Sequence, residues 1–147
     1  MARVAKVCFT RQVNAPPEVV WEVLADHRGM PEWAPPRKAE LEREGVPAPN
    51  GLGAIRVLHA VGPPIREEVT AFEPNRRLEY TALSGIPARN YRACVLLEPA
   101  GSGTEVEWTV SLTPRLPGLP VVVRQVISSL IKGLAKEAEK RAAAAPG

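Results

Sequence analysis

NYRACVLLEPAGSGTEVEWTVSLTPRLPGLPVVVRQVISSLIKGLAKEAEKRAAA, residues 90–144, holds two alternating runs, a glycine turn, a proline stop and one long segment without further proline. In the second run Val106, Trp108, Val110 and Leu112 fall on one side and Glu105, Glu107, Thr109 and Ser111 on the other. That period of two marks a half-buried strand. The first run sets Tyr91, Ala93, Val95 and Leu97 together, and Gly101-Ser102-Gly103 joins the runs as a hairpin turn. No Lys-Ser or Lys-Thr follows those glycines, so they are not a phosphate loop. Beyond Pro117-Gly118-Leu119-Pro120 the period changes. Val123, Ile127, Leu130, Leu134 and Ala138 recur at steps of three or four, widened by Val122, Val126 and Ile131, which predicts a helix over 120–144. Its solvated side carries Lys132, Lys136, Glu137 and Lys140, and the tail Ala142–Gly147 is expected to fray.

Working upstream, breaks at Gly45–Gly51, Gly62-Pro63-Pro64, Pro74-Asn75, Ser84–Pro87 and Pro99–Gly103 divide the chain into six strands, 37–44, 53–61, 65–73, 77–84, 90–98 and 104–113. Breaks this short favour hairpins, hence an antiparallel sheet joined in sequence. Residues 3–13 add a strand with Ala5, Val7, Phe9, Arg11 and Val13 toward the core. Ala15-Pro16-Pro17-Glu18 starts a short helix, because the first turn leaves unpaired the N–H that proline lacks, and Val19, Val20, Val23 and Leu24 share its face. Asp26–Trp33 predicts a second short turn. The expected architecture is α+β: a seven-stranded, curved antiparallel sheet, two short helices after the first strand, and a long C-terminal helix covering the apolar face. The gap between sheet and helix is the expected place for a small apolar molecule.

The 147 residues suit a single domain, 1–147, and 45% hydrophobic with 24% charged residues is ordinary for a globular chain. The net charge of +3 is small and acids interleave with Arg and Lys except near the C-terminus, so the long-range field is expected to be weak and nucleic acid is not an expected partner. No run is long enough to span a bilayer, and MARVAKVCFTRQV alternates where a signal peptide would be continuously apolar; no integral membrane association and a cytoplasmic location are expected. Cys8 and Cys94 have no metal or redox spacing and are expected as small buried hydrophobes, a disulfide being the alternative.

Alternation in IREEVTAF puts Ile65, Glu67, Val69 and Ala71 on one face and Arg66, Glu68, Thr70 and Phe72 on the other, so a core-facing first set buries Glu67. A buried carboxyl group requires a partner, and Arg56 on the neighbouring strand is the candidate. Arg56 alternates with Ile55 and Val57, which favours an outward arginine; an internal pair is the alternative, because strand register is not readable from sequence. Tyr80 and Tyr91 would turn hydroxyls inward, toward a structural partner or a bound carbonyl. Trp108 either fills core or lines a pocket. The candidate cavity residues are Trp33, Arg56, Glu67, Val69, Tyr80 and Tyr91, then Ala93, Val95, Trp108 and Val110 on the last hairpin, with Ile127, Leu130 and Leu134 from the helix. Histidines occur at 27 and 59, without an H-E-x-x-H or Gly-x-Ser-x-Gly motif, and His59 is expected at the rim or surface. Candidate acid–base groups are therefore Glu67, Tyr80 and Tyr91, with His59 a lesser one. No metal or nucleotide cofactor is implied.

NAPPEVVWEVLADHRGMPEW (14–33), GLGAIRVL (51–58), IREEVTAFEPNRRLEYTALSG (65–85), the hairpin of 90–112 and the final helix follow one another in an order that resembles the START and polyketide-cyclase superfamily, SRPBCC. The resemblance covers nearly the whole chain and is greatest to the bacterial polyketide cyclase or dehydratase and lipid-transport branch. It implies a helix-grip fold and a scaffold for lipids, polyketides or other apolar or aromatic molecules, with catalysis in some members. It also implies an arginine and a glutamate at positions 56 and 67. The functional expectation is a module that binds a small hydrophobic molecule, and the alternative is a cyclase, aromatase or dehydratase acting in the same cavity. A protein-interaction domain would require an exposed apolar patch that the sequence does not obviously supply.

Overall fold

Each break in the alternation becomes a turn in the computed structural model, which describes residues 3–144. The order is β1 (Ala5–Val13), α1 (Pro17–Ala25), a 3₁₀ turn (Met30–Glu32), β2 (Lys38–Arg43), β3 (Ile55–His59), β4 (Ile65–Glu73), β5 (Arg77–Ser84), β6 (Ala88–Ala100), β7 (Gly103–Pro114) and α2 (Leu119–Ala144). The seven strands form one antiparallel sheet in the order β1-β7-β6-β5-β4-β3-β2. First and last strands are thus neighbours, with Val7 opposite Val110 and Phe9 opposite Trp108. The sheet curls around α2 as a helix grip, and Val123, Ile127, Leu130, Ile131, Leu134, Ala135 and Ala138 form the helix's buried stripe. Fully burying one of its larger aliphatic side chains contributes about 1.5–3 kcal/mol.

The main packing partners of α2 are β1, α1 and β7. Gly133 permits a close approach on another side: a Cβ there would lie 2.0 Å from the Trp33 carbonyl oxygen. The segment after the 3₁₀ turn is therefore seated directly on the helix backbone.

Four expectations change. A bulge between Val69 and Ala71 inserts Thr70 opposite the Tyr80–Glu79 step, so Phe72 moves to the inner face and meets the Trp21 ring at 5.1 Å, edge to face. Val122 and Val126 do not widen the buried stripe; they are 53% and 43% exposed. Cys8 is exposed and Cys94 half-buried, because both stand on the outer face of the sheet. Both oppose Thr109 from either side of β7, which sets them about 10 Å apart, beyond disulfide reach. The helix persists through Ala144, and the rest of the tail expected to fray lies outside the described residues.

Candidate functional site

Arg56 and Glu67 are directly opposed in the β3–β4 register. Both side chains are buried, with Arg56 Nε and Nη2 each 2.8 Å from Glu67 Oε1. The arginine points inward, contrary to the outward arrangement favoured by its neighbours. β3 carries aliphatic side chains on both faces, so alternation cannot assign its sides; the register with β4 does. The guanidinium carbon sits 4.4 Å from the Tyr80 ring centroid, a cation–π contact in a desolvated setting. Burial is the largest single influence on Arg56 and disfavours its charge, but Glu67 together with Tyr80 and Tyr91 outweighs it and holds the guanidinium pKa above its ordinary value.

His27 completes this cluster, a role sequence patterning did not signal. Its Nδ1 is 3.3 Å from Arg56 Nη1 and its Nε2 is 2.9 Å from the Asn50 carbonyl oxygen. Arginine offers no acceptor, so Nδ1 must accept from it and the ring proton sits on Nε2, donated to Asn50. The ring is therefore neutral. Burial, reinforced by the Arg56 charge and partly opposed by the Asn50 carbonyl, pushes its pKa down to about 3. Through this ring the 45–53 loop is tied to the β3–β4 pair.

Between the N-terminal half of α2 and strands β3–β6 lies a cavity of about 320 Å³. Its polar lining side chains are Arg56, Glu67, Tyr80 and Tyr91; the rest of its wall is aliphatic, proline, methionine or glycine. Burial raises the pKa of both tyrosines well above the ordinary phenol value, with Glu67 adding to the shift and Arg56 opposing it. Both remain O–H groups at neutral pH. The cavity opens beside Val61, which is 94% exposed, and beside Val122 and Val126.

Of the residues anticipated from sequence, Arg56, Glu67, Tyr80, Tyr91 and Leu130 are brought together in the cavity wall. Val69, Ala93, Val95, Trp108 and Val110 share the concave face but belong to the packed core, as do Ile127 and Leu134. Trp108 is 1% exposed, and its Nε1 has no hydrogen-bond partner, the Tyr80 hydroxyl being its polar neighbour. Trp33 packs against Gly133, away from the cavity. The wall residues that patterning missed, such as Met30, Val61, Ile86 and Leu119, come largely from turns. An aliphatic residue set among prolines and glycines has no period to assign its side; its presence in Val61-Gly62-Pro63 or Gly85-Ile86-Pro87 is the available signal.

His59 lies toward the surface with Nε2 3.1 Å from Glu40 Oε2. Among the described residues, no group of three or more His, Cys, Asp or Glu side chains is placed to hold a metal ion. Nor is any helix long and apolar enough to cross a membrane.

A long helix held by a curved seven-stranded sheet, with a largely apolar cavity between them, can be compared with known proteins. The family profile described as polyketide cyclase / dehydrase and lipid transport matches residues 4–145. The chain belongs to this family. Curated proteins return no sequence match. Among solved structures it is similar to a Nitrosospira multiformis protein, at 25% identity and a TM-score of 0.78 over 93% of this chain and 99% of that one. A Thermus thermophilus protein, TTHA0849, is 24% identical, with a TM-score of 0.72 over 96% of this chain and all of its own. A START superfamily protein from Mycobacterium smegmatis is 17% identical, with a TM-score of 0.73 over 94% and 97% of the two chains. These last two likenesses establish the fold alone.

Proposed function

We propose that this protein binds a small hydrophobic molecule, a lipid, polyketide or aromatic compound, in the cavity between the sheet and α2. The observation that carries this reading is the lining: an aliphatic wall with one cluster of polar groups, Glu67, Tyr80 and Tyr91 braced by Arg56. Such a site gains affinity from apolar burial and orientation from a few fixed hydrogen bonds. The two phenols can donate to a ligand carbonyl, and the Glu67 carboxyl can accept from a hydroxyl. Membership of a family described by both lipid transport and polyketide chemistry supports the ligand class.

The test is native mass spectrometry of the purified protein, with extraction of any retained molecule, followed by titration of the emptied protein with a lipid and polyketide panel. Leu130→Trp, which fills the cavity, is expected to abolish binding while leaving the fold intact. No retained molecule and no binding across the panel would overturn the proposal, as would undiminished binding by Leu130→Trp.

A second reading is favoured by the same polar cluster: a cyclase- or dehydratase-like reaction in which the wall folds a poly-ketone chain. Glu67 would then take a proton from carbon next to a carbonyl, and a tyrosine would protonate the departing hydroxyl. Glu67→Gln is expected to abolish turnover while ligand binding persists. Unchanged turnover removes Glu67 from any such mechanism.

A further inference from the structure

Five chain segments meet at the end of the sheet where the cavity opens: residues 3–6, 36–38, 59–66, 84–92 and 111–124. Together they contain nine Lys or Arg residues and no Asp or Glu. Of these cations, Lys38 and Arg66 are paired with Glu40 and Glu42 on β2. Among the described residues, no salt bridge involves Arg37, Arg89, Arg92, Arg115 or Arg124, all of which are exposed. The connections at the opposite end mix the two signs, with acids the more numerous. Residues 13–24 hold Glu18 and Glu22 and 96–107 hold Glu98, Glu105 and Glu107 without a cation, while Arg43 and Glu44 stand at the β2–β3 connection and Glu73, Arg76 and Arg77 at the β4–β5 turn. The two ends of the sheet therefore differ in charge, the cavity end being basic and the other mixed.

The basic end is also where exposed aliphatic side chains collect. Val61 projects from the β3–β4 turn, Leu83 precedes the β5–β6 turn, and Leu116, Val121, Val122 and Val126 surround the start of α2; each is between 42% and 94% exposed. Scattered exposed aliphatics need no explanation, but a cluster on three adjacent segments around one opening does. An apolar patch was not expected from the sequence, because these residues are far apart along it.

We propose that this end is a docking surface for an anionic lipid bilayer, with the aliphatic side chains entering the headgroup layer and the surrounding arginines contacting lipid phosphates. Two features select this occupant. Missing acids and unpaired arginines complement an anionic surface. Aliphatic side chains set inside the basic ring gain from entering a bilayer and gain nothing from a nucleic-acid backbone, which the arginines alone would serve. The association is peripheral. It places the cavity mouth against the membrane, so an apolar ligand would pass between the two without crossing water.

Leu116 and Val121 are outside the cavity wall, as are Arg89 and Arg115, so the test is independent of what the cavity holds. Co-sedimentation compares vesicles of phosphatidylcholine alone with vesicles containing about one third phosphatidylglycerol, at low and high salt. The wild type is expected to sediment with the anionic vesicles, weakly with the neutral ones, and less as salt rises. Arg89→Ala/Arg115→Ala is expected to weaken anionic-vesicle binding roughly thirtyfold, from the contribution of two basic groups near a charged surface. Leu116→Glu/Val121→Glu, with melting temperature checked for an intact fold, is expected to weaken it about tenfold or more. No sedimentation with anionic vesicles overturns the proposal. So does full binding by Leu116→Glu/Val121→Glu, and so does duplex DNA that competes the protein off the vesicles and binds that variant equally well.

Discussion

His27 offers a direct reading of the buried network through pH. The neutral ring accepts from Arg56 and donates to Asn50, and its pKa is pushed down from 6.5 to about 3 in the folded protein. The unfolded chain binds the proton first as pH falls. The stabilisation is therefore complete above about 6.5 and is lost progressively toward 3. Each unit below 6.5 costs about 1.4 kcal/mol, so going from roughly pH 7.5 to about pH 5 removes about 2 kcal/mol through this one ring. His27→Gln removes the titration but supplies both an amide donor and a carbonyl acceptor. Urea unfolding of both proteins at the two pH values gives the assay. The variant starts less stable, and the wild type is expected to lose about 2 kcal/mol more than the variant across the window. The acids Glu40 and Glu42, whose pKa values are lowered by Lys38 and Arg66 respectively, titrate alike in both proteins and cancel. Equal losses in wild type and variant would refute the neutral, doubly bonded histidine.

Other outcomes follow from the same contacts. Glu67→Leu alone leaves the Arg56 charge buried without its partner and is expected to cost about 3–5 kcal/mol in chemical denaturation, whereas Arg56→Met/Glu67→Leu should recover most of that loss. A double variant no more stable than the single one would contradict this. Gly133→Ala, despite better helix propensity, forces a Cβ toward the Trp33 carbonyl and is expected to destabilise by about 1–3 kcal/mol; a neutral or raised melting temperature would show the contact absent. Along α2, Ile127→Ala should cost about 2–5 kcal/mol and Val122→Ala less than about 0.5, so similar values at the two sites would mean a rotated helix. A thiol reagent should modify Cys8 quickly and Cys94 slowly, with two thiols titrating in the denatured, unreduced protein.

Much of the architecture was legible because alternation and helical spacing are local. Val106, Trp108, Val110 and Leu112 announce their face without reference to any partner strand, and Val123, Ile127, Leu130 and Leu134 do the same for α2. The candidate site was legible in part. Glu67 follows from the period of β4, but Arg56 lies among aliphatic residues on both faces of β3, and register with β4 turns it inward. Phe72 was misassigned because one extra residue, Thr70, reverses every side after it. His27 carries no periodic signal at all, lying between α1 and the 3₁₀ turn.

The sequence by itself determined the elements, their order and the inner face of most strands, since each depends on neighbours within a few residues. Tertiary structure alone decided which inner residues face the cavity. The helix presses on β1 and β7, so Trp108 and Val110 are packed, while β3–β6 retain an opening walled by turns. It also decided the charge pattern. Acids and bases interleave along the chain, but antiparallel strands return alternate turns to the same end, and that folding gathers Arg37, Arg89 and Arg115 around the cavity mouth while carrying Glu18, Glu98 and Glu105 to the far side.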